Sequence, residues 1–185
     1  MAIREVKYEN DINMRCKMKI RILTEEDASK YQECRLNALK TNPEAFSSTY
    51  EREAAFSNET VKERISPTKD KFVLGAFDEN ETVVGLVTFF RETGLKTKHK
   101  ANVYGMYVTP EARGNGVAKQ LMQELIKKAK ECAGVEQLLL TVVQGNNSAK
   151  RLYDLLGFKV YGVERNALKV DGEYLDEDWM VLFLS

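Results

Sequence analysis

The sequence predicts a single α/β or α+β domain, and three observations carry that expectation. Apolar runs with the length and period of strands alternate with stretches whose apolar residues recur at helical steps of three and four. The chain has 185 residues, enough to bury one substantial core. Apolar residues make up 43% and charged residues 30% of it, an ordinary balance for a globular protein and one that argues against disorder.

Residues 1–17 are polar, with Ile3, Val6, Tyr8 and Ile12 scattered among charges. They specify no fold and form an extension outside a domain of residues 18–185. It could be a loose arm, an edge strand, or residue from a start site upstream of Met18. Lys19 to Leu23 alternates as a short strand. Thr24-Glu-Glu-Asp27 has the form of a capping box and opens a helix to about Lys40, which Asn42-Pro43 breaks. Ala45 to Phe56 is irregular or partly helical. Ser57 caps a second short helix through Ile65, and Ser66-Pro67 ends it. Phe72–Phe77 and Thr82–Arg91 are the strands of a hairpin with a polar turn at Asp78–Glu81. Gly94–Lys100 is a basic loop.

Val103–Val108 is the strand that organises the rest. It stops at Thr109-Pro110, a Gly-rich turn follows, and a helix runs from about Gly114 to Ala133. Val117, Leu121, Leu125, Ala129 and Cys132 form its apolar stripe. Gln137–Val143 reads as a buried strand and Asn146–Leu156 as a helix. Phe158–Val170 and Glu173–Leu184 are antiparallel strands about a tight turn at Asp171-Gly172.

Several function classes are set aside by composition. Lys+Arg and Asp+Glu both number 28, so bulk charge gives no drive toward nucleic acid or an anionic membrane. No apolar run approaches bilayer length, and the N-terminus lacks the apolar segment of a signal peptide. Cys16, Cys34 and Cys132 are an odd set without C-x-x-C spacing. They read as reduced thiols of a cytoplasmic protein, with neither a disulfide frame nor a metal site.

The chemistry lies in two stretches. A strand, a Gly-rich turn and a helix N-terminus in succession make an anion site, because the first helical amides lack intrahelical partners and the dipole's positive end points the same way. A dinucleotide fingerprint starting at Gly114 and Gly116 would need a small residue where Lys119 stands, and a P-loop needs four residues between its glycines. What fits is Arg113-x-x-Gly116-x-Ala118. It resembles the pyrophosphate-binding motif of the GCN5-related N-acetyltransferases, Arg/Gln-x-x-Gly-x-Gly/Ala. The second stretch, Asn146-x-x-Ala149-x-x-Leu152-Tyr153-x-x-x-Gly157-Phe158, is similar to that family's later signature at every fixed position. By periodicity alone Tyr153 belongs to the stripe Ala149, Leu152, Tyr153, Leu156 and reads as a core residue.

The resemblance implies a mixed, mostly antiparallel central sheet, splayed open beside the organising strand, with helices on both faces. It implies acetyl-CoA as co-substrate and transfer to a primary amine of a small molecule, protein or peptide by direct attack. In that reading the amides of Arg113, Gly114, Asn115, Gly116, Val117 and Ala118 cradle the pyrophosphate. The glycines allow close approach because no Cβ intervenes. The backbone of Met106, Tyr107 and Val108 holds the pantetheine arm as an added strand does, with an N–H near Val108 aimed at the acetyl oxygen. Asn146 contacts the same arm, and Tyr153 donates to the leaving sulfur. A phenol near pKa 10 facing a thiol near 8.5 makes full proton transfer uphill by about 2 kcal/mol, so Tyr153 reads as a hydrogen-bond donor. Neither motif sets a Cys or Ser as a nucleophile.

No general base carries over. The two positions where family members place a glutamate hold Asn102 and Thr141 here. Glu51, Glu53 and Glu164 are alternatives acting through water, or else surface carboxylates. His99, in a lysine-rich loop, reads as solvated. Asp176-Glu-Asp178 either attracts a cationic acceptor or is a solvated strand end. Phe46, Tyr50 and Trp179 line the acceptor pocket or pack in the core. A non-catalytic acyl-CoA sensor or an interaction domain on the same fold is the alternative function, and a homodimer is left open.

Overall fold

A computed structural model describes residues 18–184 of the chain; the expectations for residues 1–17, Cys16 included, lie outside them. The first strand, β1 (Lys19–Ile22), is followed by the predicted capping box: the Thr24 N–H donates to Asp27 Oδ2 at 2.9 Å. A turn of 3₁₀-helix at Glu25–Asp27 then leads into α1 (Ala28–Thr41), so the regular helix begins four residues after the cap. Within the stretch expected to be irregular, Tyr50–Ala54 forms a short helix, α2. Asn58–Ile65 is α3, and the Ser57 hydroxyl accepts the Thr60 N–H at its start.

The remaining elements are β2 (Lys71–Phe77), β3 (Val83–Arg91), β4 (Lys100–Val108), α4 (Val117–Glu131), β5 (Gln137–Val143), α5 (Asn147–Leu155), β6 (Lys159–Val170) and β7 (Glu173–Phe183). Two bounds differ from expectation for physical reasons. The strand β4 starts three residues early because Lys100–Asn102 pair with β5, and Ala101 and Asn102 with β3 as well, a tertiary gain that local sequence does not announce. The helix α4 starts three residues late because Gly114 and Gly116 both take positive φ, 80° and 76°, which no helical residue can. The hairpin between β6 and β7 turns on Asp171 and Gly172, both at positive φ as the twist of a two-residue turn requires.

Seven strands form one sheet in the order β1-β2-β3-β4-β5-β7-β6, antiparallel at every junction except β4 to β5. The mixed, mostly antiparallel sheet is therefore as expected. Its two faces carry separate cores. Tyr31, Cys34 and Ala38 of α1 pack with Val61 and Ile65 of α3 on Val73, Phe77 and Leu86. On the other face Val117, Leu121, Met122, Leu125 and Ala129 of α4 pack with Leu74, Val87, Phe89, Leu138, Tyr153 and Phe158. Gly85 permits the close approach of α4: a Cβ there would stand 2.9 Å from Leu121 Cδ1 and 3.2 Å from the Tyr107 carbonyl oxygen. Among the described residues no helix is long and apolar enough to cross a membrane.

Arg21 ties β1 to the start of α1 by donating to both Asp27 oxygens at 2.7 Å. These hydrogen bonds hold the Asp27 carboxyl down at about 2. A depressed carboxyl contributes stability that is full above its unfolded pKa near 3.9 and is lost as pH falls through the folded value. With the Arg21 side chain 34% exposed, solvent screening limits that contribution to about 1 kcal/mol. Urea midpoints of the wild-type protein and Asp27→Asn should therefore differ at pH 6 and converge as pH approaches 2.

Candidate active site

The strands β4 and β5 pair only over Lys100–Asn102 and Gln137–Leu139. Beyond that they part. Between Leu86/Tyr107 and Thr88/Tyr104 the β3–β4 ladder has one extra residue on β4, and Gly105 lies at φ 61° in this bulge. A bulge bends the strand that carries it, and a left-handed residue at that point favours glycine. The opening is a cleft of about 860 Å³. Val103–Val108 line one wall, and Leu140–Val143 with Asn146, Ala149, Leu152 and Tyr153 line the other.

The Thr109 N–H donates to Val84 O at 2.9 Å, toward β3. Alternation along the strand turns the Val108 N–H the other way, into the opening. The Val108 carbonyl also faces that way and accepts from Arg113 Nε at 3.0 Å. Arg113 Nη2 donates to Asn42 Oδ1 at 2.8 Å, so the arginine side chain braces the turn between β4 and the end of α1. Gly116 is the N-cap of α4 and brings no capping side chain. The amides of Val117, Ala118 and Lys119 consequently have no acceptor among the described residues, and they stand at the positive end of a fifteen-residue helix.

Of the residues singled out by the motifs, Met106, Tyr107, Val108, Arg113, Gly114, Gly116, Val117, Ala118, Asn146 and Tyr153 all line this one cleft. Asn115 does not; it lines a smaller neighbouring cavity. Asn146 is the N-cap of α5, where its Oδ1 accepts the Ala149 N–H at 3.1 Å. That bond orients the side-chain amide and leaves Nδ2 to donate to a ligand. Tyr153 is 6% exposed, with Phe158 beside its ring, and burial pushes its phenol up to about 12. The stripe expected to be core packs as one: Tyr153 is buried in the cluster and Ala149, Leu152 and Leu156 lie partly buried against it, with Ala149, Leu152 and Tyr153 also bordering the cleft.

The carboxylates sort themselves by partner. Glu53 is 0% exposed and paired with Arg35 at 2.8 Å and Arg64 at 3.3 Å. Burial pushes its carboxyl up, but the Arg35 hydrogen bonds and charge outweigh this and leave it lowered. It is a structural anion held between two cations. Glu51 is exposed, and Glu164 accepts from Trp179 Nε1 at 3.1 Å outside the cleft. His99 also lies outside; its carbonyl accepts the N–H groups of Glu136 and Gln137. In the acidic run of β7, Asp178 bonds Lys150 and Gln144, and Asp176 bonds Arg165 and the Asn166 N–H. Glu177 alternates to the opposite side, where it lines the cleft with Thr141. Burial pushes the Glu177 carboxyl up, with a hydrogen bond from Thr141 acting the other way. Phe46 lines the cleft as well, while Tyr50 and Trp179 do not.

Residues 33–158 match the model of the Acetyltransferase (GNAT) family. The chain belongs to this family. Among curated relatives, the L-amino acid N-acetyltransferase AaaT of Escherichia coli is 31% identical over 98 residues, 53% of this chain and 60% of that protein. The chain thus spans less than two thirds of the length of that relative. Among solved structures, the acetyltransferase of the GNAT family from Streptococcus pneumoniae superposes with a TM-score of 0.81 at 20% identity, covering 90% of this chain and 99% of that one. The yncA protein of Salmonella typhimurium, solved with its cofactor acetyl-CoA, gives 0.72 at 24% identity over 91% and 95%. These likenesses establish the fold.

Within the GNAT frame, Asn102 donates to Glu92 Oε1 at 2.6 Å and offers no base. Thr141 offers none either, but the carboxylate that reaches its side comes from the neighbouring strand. The register that brings them together, Val143 opposite Glu177 and Thr141 opposite Trp179, joins strands that are not consecutive in the chain. The other pairing that sequence could not show is Glu53 with Arg35, eighteen residues apart. Breaking a buried pair by removing one partner costs roughly 3–5 kcal/mol. Glu53→Ala should lose stability of that order in urea denaturation, whereas Glu51→Ala should lose almost none.

Proposed function

We propose that this chain transfers the acetyl group of acetyl-CoA to a primary amine by direct attack. One observation carries the reading: a single cleft brings together the free amides of a left-handed glycine turn, the unpaired edge of β4 and the buried phenol of Tyr153. The amides of Gly114, Gly116, Val117 and Ala118 suit a diphosphate, since they are donors in a concave turn at a helix N-terminus. The edge of β4 from Met106 to Val108 suits a chain of amides, which pairs with it as a strand would. Asn146 Nδ2 can donate to that arm from the other wall. That the Escherichia coli relative is an L-amino acid N-acetyltransferase supports an amine acceptor.

Acetyl-CoA supplies an activated acyl carbon. The Val108 N–H holds the acyl oxygen and favours the charge that gathers there as the amine nitrogen bonds to the carbonyl carbon. When the carbon–sulfur bond breaks, the Tyr153 hydroxyl hydrogen-bonds the departing thiolate. With its phenol near 12, full donation to a thiolate of pKa near 8.5 is uphill by about 5 kcal/mol. Tyr153 therefore stabilises the leaving group as a donor and keeps its proton. The proton lost by the amine passes to Glu177, directly or through one water; its elevated carboxyl makes it a better base than a solvated glutamate. How much this matters depends on the acceptor. An α-amino group near pKa 7.7 is roughly one-sixth neutral at pH 7, and a lysine-like amine near 10.4 about once in 2,500. Cys34 and Cys132 are free thiols, which supports a reducing, cytoplasmic setting.

Release of coenzyme A thiol from acetyl-CoA in the presence of an amine panel tests the reading, and its absence with every amine would overturn it. Tyr153→Phe should lower kcat at least about 100-fold while leaving the acetyl-CoA Kd within about 3-fold. Glu177→Gln should lower kcat/KM about 100-fold near pH 7. With the carboxylate gone, the remaining rate should climb about tenfold per pH unit, following the neutral amine alone. An unchanged pH profile would remove Glu177 from the proton path.

A further inference from the structure

Arg35 is 6% exposed and lies on the α1–α3 side of the sheet, opposite the helix whose N-terminus carries the glycine turn. Two of its guanidinium nitrogens are occupied: Nε donates to Glu53 Oε2 at 2.9 Å and Nη2 to Glu53 Oε1 at 2.8 Å. The third, Nη1, is buried and has no acceptor among the described residues. The guanidinium lies over the Phe46 ring, 4.6 Å from its centroid, which sets the plane of the fork. A Cβ built on Gly105 would stand 4.0 Å from Nη1. The free donor is thus turned toward the bulge of β4, and Arg35, Phe46 and Gly105 all line the cleft there.

The charge around this donor is positive. Glu53 is one anion between two cations, Arg35 and Arg64, and Arg52 and Lys71 line the same cleft. Glu177, which reaches the cleft from β7 on the far side of the split, is the acidic residue of the lining. A small ligand between them meets a buried, oriented cation on one side and a carboxylate on the other. The geometry points to Arg35 Nη1 as a carboxylate subsite, and so to an acceptor bearing a carboxylate beside its primary amine, the class of free amino acids. This rests on the acetyl-transfer reading for the amine and adds the anchor at the other end. A guanidinium edge suits a carboxylate oxygen, and a buried donor left unpaired discriminates strongly against ligands that lack the acceptor.

The test compares each of the twenty common amino acids with its own carboxamide on the wild-type protein, reading thiol release and acetylated product. Amidation lowers the α-amino pKa toward about 7.7, so the amide presents at least as much neutral amine as the acid. A fall in rate on amidation then reports the carboxylate alone. For the best acceptor, kcat/KM should fall about 100-fold or more on amidation. Isoglutamine, with only its side-chain carboxylate, and glycyl dipeptides, with the carboxylate one residue further on, show whether the anion must be the α-carboxylate. Arg35→Lys keeps a cation beside Glu53 and removes the fork; it should raise the acceptor KM at least about tenfold and leave the acetyl-CoA KM unchanged. Calorimetric titration of the same acid and amide into protein saturated with coenzyme A reads the subsite without turnover. Equal rates, or equal heats, for acid and amide overturn the subsite and leave acetyl transfer standing. No thiol release with any amine, together with tighter binding of the acid than the amide, overturns acetyl transfer and leaves the subsite standing.

Discussion

Where β4 leaves β5, the sheet gives up backbone pairing that it has the partners to make. From Val103 to Val108 on one strand and Leu140 to Val143 on the other, amide and carbonyl groups face a gap instead of each other. Main-chain polar groups buried without partners cost roughly 1–3 kcal/mol each, so such a gap persists only if water or a ligand can enter it. The bulge and Gly105 enforce it by bending β4, and Phe72, Val87 and Phe89 hold the adjoining strands in one core despite the split. Everything assigned to the cleft depends on this parting. With β4 and β5 zipped to their ends, neither the Val108 N–H nor the Tyr153 hydroxyl would have space in front of it.

The glycine turn depends on the same strand. Arg113 reaches back to the Val108 carbonyl and across to Asn42, so the first turn of α4 is set in position from the end of β4 and the end of α1. The helix itself is anchored by Val117, Leu121, Leu125 and Ala129 in the core. Gly116, at positive φ and without a side chain, leaves the first amides of α4 open where a serine or aspartate would have capped them. Stability at a helix end is traded there for an open donor set.

What the sequence showed and what it hid divide by range. The capping box at Thr24, the Ser57 cap, the Asp171-Gly172 turn and the stripe of α4 are local and were legible, because each is a contest among neighbours within four residues. The two motifs were legible by resemblance, and the Gly116 and Tyr153 they carry fall in one cleft. Glu177 was not. It sits two residues from Trp179, opposite Val143, only because β7 inserts between β5 and β6, and strand order across a sheet leaves no local trace. Glu53 misled for a related reason. The segment Tyr50–Ala54 carries charges at its three central positions, which reads as a surface; its one buried member is buried because Arg35 and Arg64, from two other helices, close on it.

That buried cluster bears on why the cleft has the polarity it has. A buried ion pair is weak grounds for stability, since removing two charges from water cancels most of what their attraction returns, and an apolar pair of equal volume often does as well. Here the arrangement is less favourable still, because one guanidinium nitrogen is desolvated without an acceptor. A pair built for stability alone would satisfy both sides. Glu53 instead takes two nitrogens of Arg35 and a third from Arg64, which orients the fork, stacked on Phe46, and leaves one buried donor turned toward Gly105 in the cleft wall. The anion beneath it is what makes a cation tolerable so deep in the fold, and the cation surplus is what remains to act on whatever enters.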